Sequence, residues 1–153
     1  MVADSHKSSS HVQMQAEEMI FHNVECVLDM KLEKNKKLYL ADNAFTYIQP
    51  DFYSEENNII GEIFAHIGKP KKAQDNKIAN DILKMLLLEK ITGKQFRKII
   101  CVCDELEKNK LQGQSVLAES IRQFCIEIMY VELEENVRNQ IIEAQERQKM
   151  TNI

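Results

Sequence analysis

Ile48-Gln-Pro-Asp-Phe-Tyr-Ser-Glu-Glu-Asn-Asn-Ile-Ile-Gly-Glu-Ile-Phe-Ala65 decides how this chain folds. Residues rich in Ile, Phe and Tyr stand on either side of Ser54-Glu-Glu-Asn57, which predicts two extended segments, 45–52 and 58–67, joined by a tight connection. Pro50 has no amide hydrogen to give to a ladder, so it belongs at a strand end or on an edge. Leu38-Tyr-Leu40 predicts a further extended segment over 37–41, with a break at Asp42-Asn43. The three segments together read as an antiparallel meander.

Toward the N-terminus, Ala16, Met19, Ile20, Val24, Val27 and Leu28 recur at three- and four-residue intervals, predicting an amphipathic helix over about 12–31. On that wheel Glu17 projects within the stripe of Ile20, Val24 and Leu28, whereas Glu18 points the opposite way. An acid on a buried face needs a partner.

Toward the C-terminus, Gly68-Lys-Pro70 stops the third segment, and Ile78, Ile82, Met85, Leu86 and Leu88 predict a helix over 71–90 that is long enough to be a crossover. Residues 96–103 are almost continuously apolar, the pattern of a strand covered on both faces, and are placed at the sheet centre. The polar stretch 104–114 reads as a loop. A helix over 115–124, with Val116, Leu117, Ile121 and Phe124 inward, and a fifth strand over 126–133 follow. A charged helix over 134–150 carries Val137, Ile141, Ile142 and Ala144 on a narrow stripe, expected to dock on its own sheet. The predicted order is α-β-β-β-α-β-α-β-α: an α/β fold with a mixed five-stranded sheet flanked by helices.

At 153 residues and 44% hydrophobic, the chain has material for one core, so a single domain over 12–150 is expected behind a disordered segment 1–11. The longest apolar runs, such as Met85-Leu-Leu-Leu88, fall far short of the ~20 residues of a membrane span. Without an apolar leader stretch near Met1, the expected compartment is the cytoplasm. Cys26, Cys101, Cys103 and Cys125 lie in apolar patterns and not at zinc spacing, so reduced core thiols are expected. Cys101 and Cys103 would share one strand face, which disfavours a disulfide between them. A net charge of −4 excludes a protein that coats nucleic acid through a globally basic surface. Lys69, Lys71, Lys72 and Lys77 nevertheless fall within nine residues, either a local phosphate-attracting patch or a solvated loop and helix start.

Asp51 and Glu62 are the residues in which chemistry is expected. Neighbouring antiparallel strands bring the two carboxylates together, and two adjacent negative charges repel unless a cation binds or one of them is protonated. Two acids with a nearby backbone carbonyl suit the oxygen preference of Mg²⁺. Glu62 lies between Ile60 and Phe64 on one strand face, an uncomfortable place for a merely solvated acid. His66 shares that face and reads as a hydrogen-bonded neighbour rather than a ligand, and His6, His11 and His22 have no zinc spacing. Ser115, Ser120 and the cysteines lack a His and acid arrangement for covalent catalysis. There is no Gly-rich phosphate loop.

Pro50-Asp51, a gap of ten residues and then Glu62-Ile63-Phe64 resemble the signature of the PD-(D/E)XK (restriction-endonuclease-like) nucleases. The preceding helix with its inward Glu17, the meander, the crossover helix and the fourth strand are similar to that family's core order, so the resemblance covers about 12–103. It implies a Mg²⁺-dependent DNA endonuclease or related phosphodiesterase, with Asp51, Glu62 and the carbonyl of Ile63 on one ion and Glu17 serving a second. The family's motif lysine would stand at position 64, where this chain has Phe64. In similar nucleases the following helix supplies the ammonium, which points to Lys77. Gln74 would position that lysine or contact the backbone, and Lys69, Lys71 and Lys72 would attract the strand. Phe64 keeps open the alternative of a catalytically inactive nuclease-like domain that binds nucleic acid or protein. A third reading is a structural interaction protein that uses its final helix. The small size leaves little room for a separate target-reading domain, which a homodimer or a larger complex would have to supply.

Overall fold

Along 59–64 the side chains alternate, Ile59, Gly61 and Ile63 to one face and Ile60, Glu62 and Phe64 to the other, and all six residues are buried. A strand buried on both faces must lie inside the sheet with a layer on each side. The computed structural model, which describes residues 9–40 and 45–151, has that arrangement. Its elements in chain order are α1 (Ser9–Leu28), β1 (Glu33–Lys34), β2 (Leu38–Tyr39), β3 (Tyr47–Ile48), β4 (Phe52–Ser54), β5 (Ile59–Phe64), α2 (Lys72–Thr92), β6 (Arg97–Val102), α3 (Glu105–Leu111), α4 (Val116–Gln123), β7 (Ile126–Tyr130) and α5 (Glu135–Thr151).

The main sheet has the order β1-β4-β5-β6-β7, with β5 in the middle. β4 runs antiparallel to both β1 and β5, whereas β5, β6 and β7 are mutually parallel, with α2 as the first crossover. On one face α1 and α5 pack Ala16, Ile20, Val24, Val137 and Ile141 against Ile59, Ile63, Ile99 and Cys101. On the other, Ile78, Ile82 and Met85 of α2, Leu111 of α3 and Ile121 of α4 cover Ile60, Phe64, Ile100 and Val102. Each fully buried Ile or Met in these layers contributes roughly 1.5–3 kcal/mol.

The mixed five-stranded sheet agrees with the sequence expectation, and its left half departs from it. The expected strand 45–52 is two strands, because Pro50 cannot donate and breaks the run. Its first part, β3, pairs with β2 in a separate two-stranded sheet, Leu38 opposite Ile48 and Tyr39 opposite Tyr47. Its end begins β4, which pairs with β5. The edge position falls to Glu33–Lys34, which backbone pairing to Phe52 and Tyr53 makes a strand without any side-chain periodicity. The Asp42-Asn43 connection lies outside the described residues, as does 1–8 of the expected disordered segment, while 9–11 belong to α1.

Other differences lie toward the C-terminus. Residues 104–114 contain α3, which buries Leu111 and Glu107, and are not a plain loop. Of the helix side chains expected inward, Ile121 is buried and Leu117 packs on the core, whereas Val116 and Phe124 are exposed and Ala118 takes an inward place. β6 is interior but one position from the centre, and β7 stops at Tyr130. Cys101 and Cys103 are buried free thiols as expected, whereas Cys26 and Cys125 are exposed. α5 docks on its own core through Val137, Ile141 and Ala144. Among the described residues no helix is long and apolar enough to cross a membrane.

One glycine fixes the register on which the candidate site depends. A Cβ at Gly61 would fall inside the ring of Phe52, its cross-strand partner. Only glycine lets that ring lie flat across β5, and Phe52 opposite Gly61 sets Asp51 opposite Glu62.

Candidate active site

Beyond Phe52 the β4–β5 ladder ends: Pro50 has no amide hydrogen for the Ile63 carbonyl opposite it, and no further strand pairing follows. The Ile63 N–H, left without a strand partner, donates instead to Asp51 Oδ2 at 2.7 Å. The broken ladder therefore holds the Asp51 carboxylate across the end of β5. In extended backbone the N–H and C=O of one residue leave the strand on the same side, so the Ile63 carbonyl is on the Asp51 side too.

Glu62 is only 8% exposed. Burial, then the charge of Asp51, a hydrogen bond with the Asp51 carboxyl and the charge of Asp81 push its carboxyl up to about 9, with Lys77 pulling the other way. At neutral pH Glu62 therefore holds a proton, and the two acids are joined through it. Neither carboxylate has an ion pair among the described residues.

Glu17 reaches this field from the α1 layer. Burial and then Asp51 raise its carboxyl, against the opposing influence of Gln13, whose amide donates to it at 3.4 Å, and of Lys77 and Lys34. From the α2 layer, Lys77 places its ammonium 5.7 Å from the centroid of the Phe64 ring. The cation thus stands over Phe64, the residue at which the sequence resemblance expects a lysine. Its Nζ is also 3.7 Å from Asp81 Oδ2, and the Lys84 Nζ is 3.7 Å from Oδ1. Asp81 is buried, and burial raises its carboxyl while the two lysines lower it. Asp81 follows Lys77 by one helical turn, on the flank where helical periodicity expects Gln74, Lys77 and Asp81 to turn toward the acids.

The remaining expected residues surround this centre at a distance. Gln74 Oε1 accepts the Lys71 N–H at 3.0 Å and so closes the first turn of α2, leaving its amide nitrogen for other contacts. Lys69, Lys71 and Lys72 are exposed, and the first two line a separate cavity of about 410 Å³ between the 65–71 connection and α5. The His66 ring stacks on Phe64 with centroids 5.8 Å apart, and burial followed by the nearby Lys71 lowers its pKa, so it is neutral at pH 7.

Among the described residues no three His, Cys, Asp or Glu side chains form a ready-made ligand cluster. The donor set at β5 is two carboxylates and one carbonyl. It fits a hard divalent ion on chemical grounds: all donors are oxygen, and a second positive charge would replace the proton that now holds the two acids together. Comparison with protein-family models, curated proteins and solved structures finds no match to this chain.

Proposed function

We propose that this chain is a Mg²⁺-dependent nuclease of the PD-(D/E)XK type, acting in the cytoplasm on the phosphodiester bonds of DNA. The observation that carries the reading is the pair of half-buried Asp51 and buried Glu62, neither carboxylate ion-paired among the described residues, while Lys77 stands over Phe64. Asp51, Glu62 and the Ile63 carbonyl would hold one ion, and Glu17 would serve a second. When bound, Mg²⁺ supplies charge neutralisation at the scissile phosphate and lowers the pKa of a water beside it.

The protein's own groups do the rest. Glu62 gives up its proton when the site fills, so loading is favoured as pH rises. Lys77 offsets negative charge developing on the phosphate oxygens or orients the attacking water, the task of the absent motif lysine. The Phe64 ring supports the ammonium through its π face, and Asp81 holds the exposed Lys77 side chain on that flank. Asp81 is thus a positioning residue. The Gln74 amide and Lys69, Lys71 and Lys72 draw in the phosphate backbone.

Nicking of plasmid and cleavage of single-stranded DNA with Mg²⁺ test the reading, with Glu62→Ala and Lys77→Ala as controls. The expected outcome is cleavage by the native chain, none above background for Glu62→Ala, and a loss of about a hundredfold or more for Lys77→Ala. Equal background in all three overturns it. Phe64 in place of lysine favours the second reading, a nuclease-like domain without catalysis, which predicts nucleic-acid or protein binding indifferent to metal.

A further inference from the structure

We propose that the cavity between the 65–71 connection and α5 is a phosphate-binding subsite, through which the final helix holds a nucleic-acid strand running from the Asp51–Glu62 site. The inference rests on the reading that the chain acts on nucleic acid, and it adds a binding role for α5, which lies outside the region resembling the nuclease core.

Four cationic side chains, Lys69, Lys71, Arg138 and Lys149, line this cavity of about 410 Å³ against the single carboxylate of Glu146. That concentration stands out in a chain whose net charge is −4. Lys69, Lys71 and Lys149 have no carboxylate partner among the described residues, so their charge is not spent internally. Arg138 is fixed by Asp104 Oδ1 at 3.1 Å, with the Cys103 carbonyl 3.5 Å from its other terminal nitrogen. It therefore presents a held guanidinium rather than a floating one. The 21-residue α2 opens at the rim, with Lys71 as its N-cap, and its first N–H groups add positive potential there.

The walls are stitched together. Gln145 of α5 clamps Ile67 at both backbone groups, accepting its N–H at 3.0 Å and donating to its carbonyl at 2.7 Å. Gly68, at φ +100° where a side chain would be strained, donates its N–H to Asp104 Oδ2 at 2.7 Å. Two segments far apart in sequence are thus held at a fixed separation with their cations converging, the preorganisation a subsite requires. A chain of side-chain contacts also leads back to the candidate active site: Lys77 lies over Phe64, Phe64 stacks on His66, and His66 lines the cavity. A tetrahedral phosphate oxyanion is the ligand that this chemistry recognises. It would come from a strand end or from an internal diester.

The test uses the full chain in EDTA, so that binding is read without cleavage. Fluorescence anisotropy is measured with 3′-labelled oligothymidylate carrying either a 5′-phosphate or a 5′-hydroxyl. The variants are Lys69→Glu/Lys149→Glu and, as a control of equal exposure elsewhere, Lys94→Glu/Lys90→Glu. Charge reversal at the cavity should weaken binding at least about tenfold and flatten its salt dependence, while the control pair changes it far less. A preference for the 5′-phosphate that vanishes in the cavity variant assigns the site to a strand end; equal weakening for both oligonucleotides assigns it to an internal diester. The proposal is overturned if the two double variants bind alike, with melting curves showing both folded. Intact Mg²⁺-dependent cleavage together with that result sinks the subsite alone, whereas binding that obeys the prediction without any cleavage sinks the nuclease reading and leaves the subsite.

Discussion

Lys98 and Glu62 lie on neighbouring strands, both facing α2 and two residue levels apart, with Ile60 beside Lys98 and Ile100 beside Glu62. They are 7% and 8% exposed. The protein treats the two buried charges in opposite ways. Lys98 Nζ meets Glu89 Oε2 at 2.9 Å, and the same oxygen accepts the Phe96 N–H at 2.9 Å, so the charge is matched and the acceptor is shared with the backbone. Glu62 faces two more acids, Asp51 and Asp81, and keeps its proton instead. A matched buried charge ties α2 to the start of β6 and asks for nothing further. An unmatched one of the same burial has no such internal partner, and the proposed cation site is therefore placed at the Glu62 end and not at the Lys98 end.

Removing one partner of the matched pair should have the larger effect on stability. Lys98→Ala leaves Glu89 half-buried and uncompensated, so it is expected to cost about 3–5 kcal/mol, a fall in Tm of roughly 10 °C by calorimetry. Cleavage per folded molecule should not change. A loss below about 1 kcal/mol would mean that Lys98 reaches water, and the contrast with Glu62 would fail.

Glu62→Gln should act in the opposite direction and more weakly. The folded carboxyl, at about 9, lies above its ordinary value of 4.5. The folded state therefore binds more protons than the unfolded chain between those values, and the metal-free protein loses stability as pH rises from about 4.5 toward 9. Glutamine removes the ionisation and with it most of that slope. Urea midpoints at pH 5, 7 and 9 should fall for the native chain and stay nearly level for Glu62→Gln, leaving the variant more stable at pH 9 by on the order of 1–2 kcal/mol. Parallel slopes would show that Glu62 is not the group responsible.

Much of the right half of the fold is legible in the sequence, because buried parallel strands and their crossover helix carry strong apolar signals: the continuous run at 96–103 and the stripe from Ile78 to Leu88. Asp51 and Glu62 were legible as a pair because they stand in neighbouring extended segments on either side of Ser54-Glu-Glu-Asn57, whereas the register that Phe52 opposite Gly61 sets is visible only in the fold. β1 was not, since two residues paired only by backbone leave no pattern in side chains. α3 escaped for a different reason. Its short polar run gives little periodicity, and one of its two buried residues is Glu107, a carboxylate with neither oxygen hydrogen-bonded among the described residues. Burial raises that carboxyl, and no apolar-pattern reading would place it inside. Arg138 and Lys149 were missed as neighbours of Lys69 and Lys71 because only the docking of α5 brings them together.

Calorimetric titration of Mg²⁺ at pH 7.5, repeated in two buffers of different ionisation enthalpy, measures ion uptake and proton release at once. The account predicts uptake accompanied by the loss of about one proton, with both abolished in Asp51→Asn and the proton release gone in Glu62→Gln. No uptake by the native chain, or uptake with the same proton count in Glu62→Gln, would contradict it.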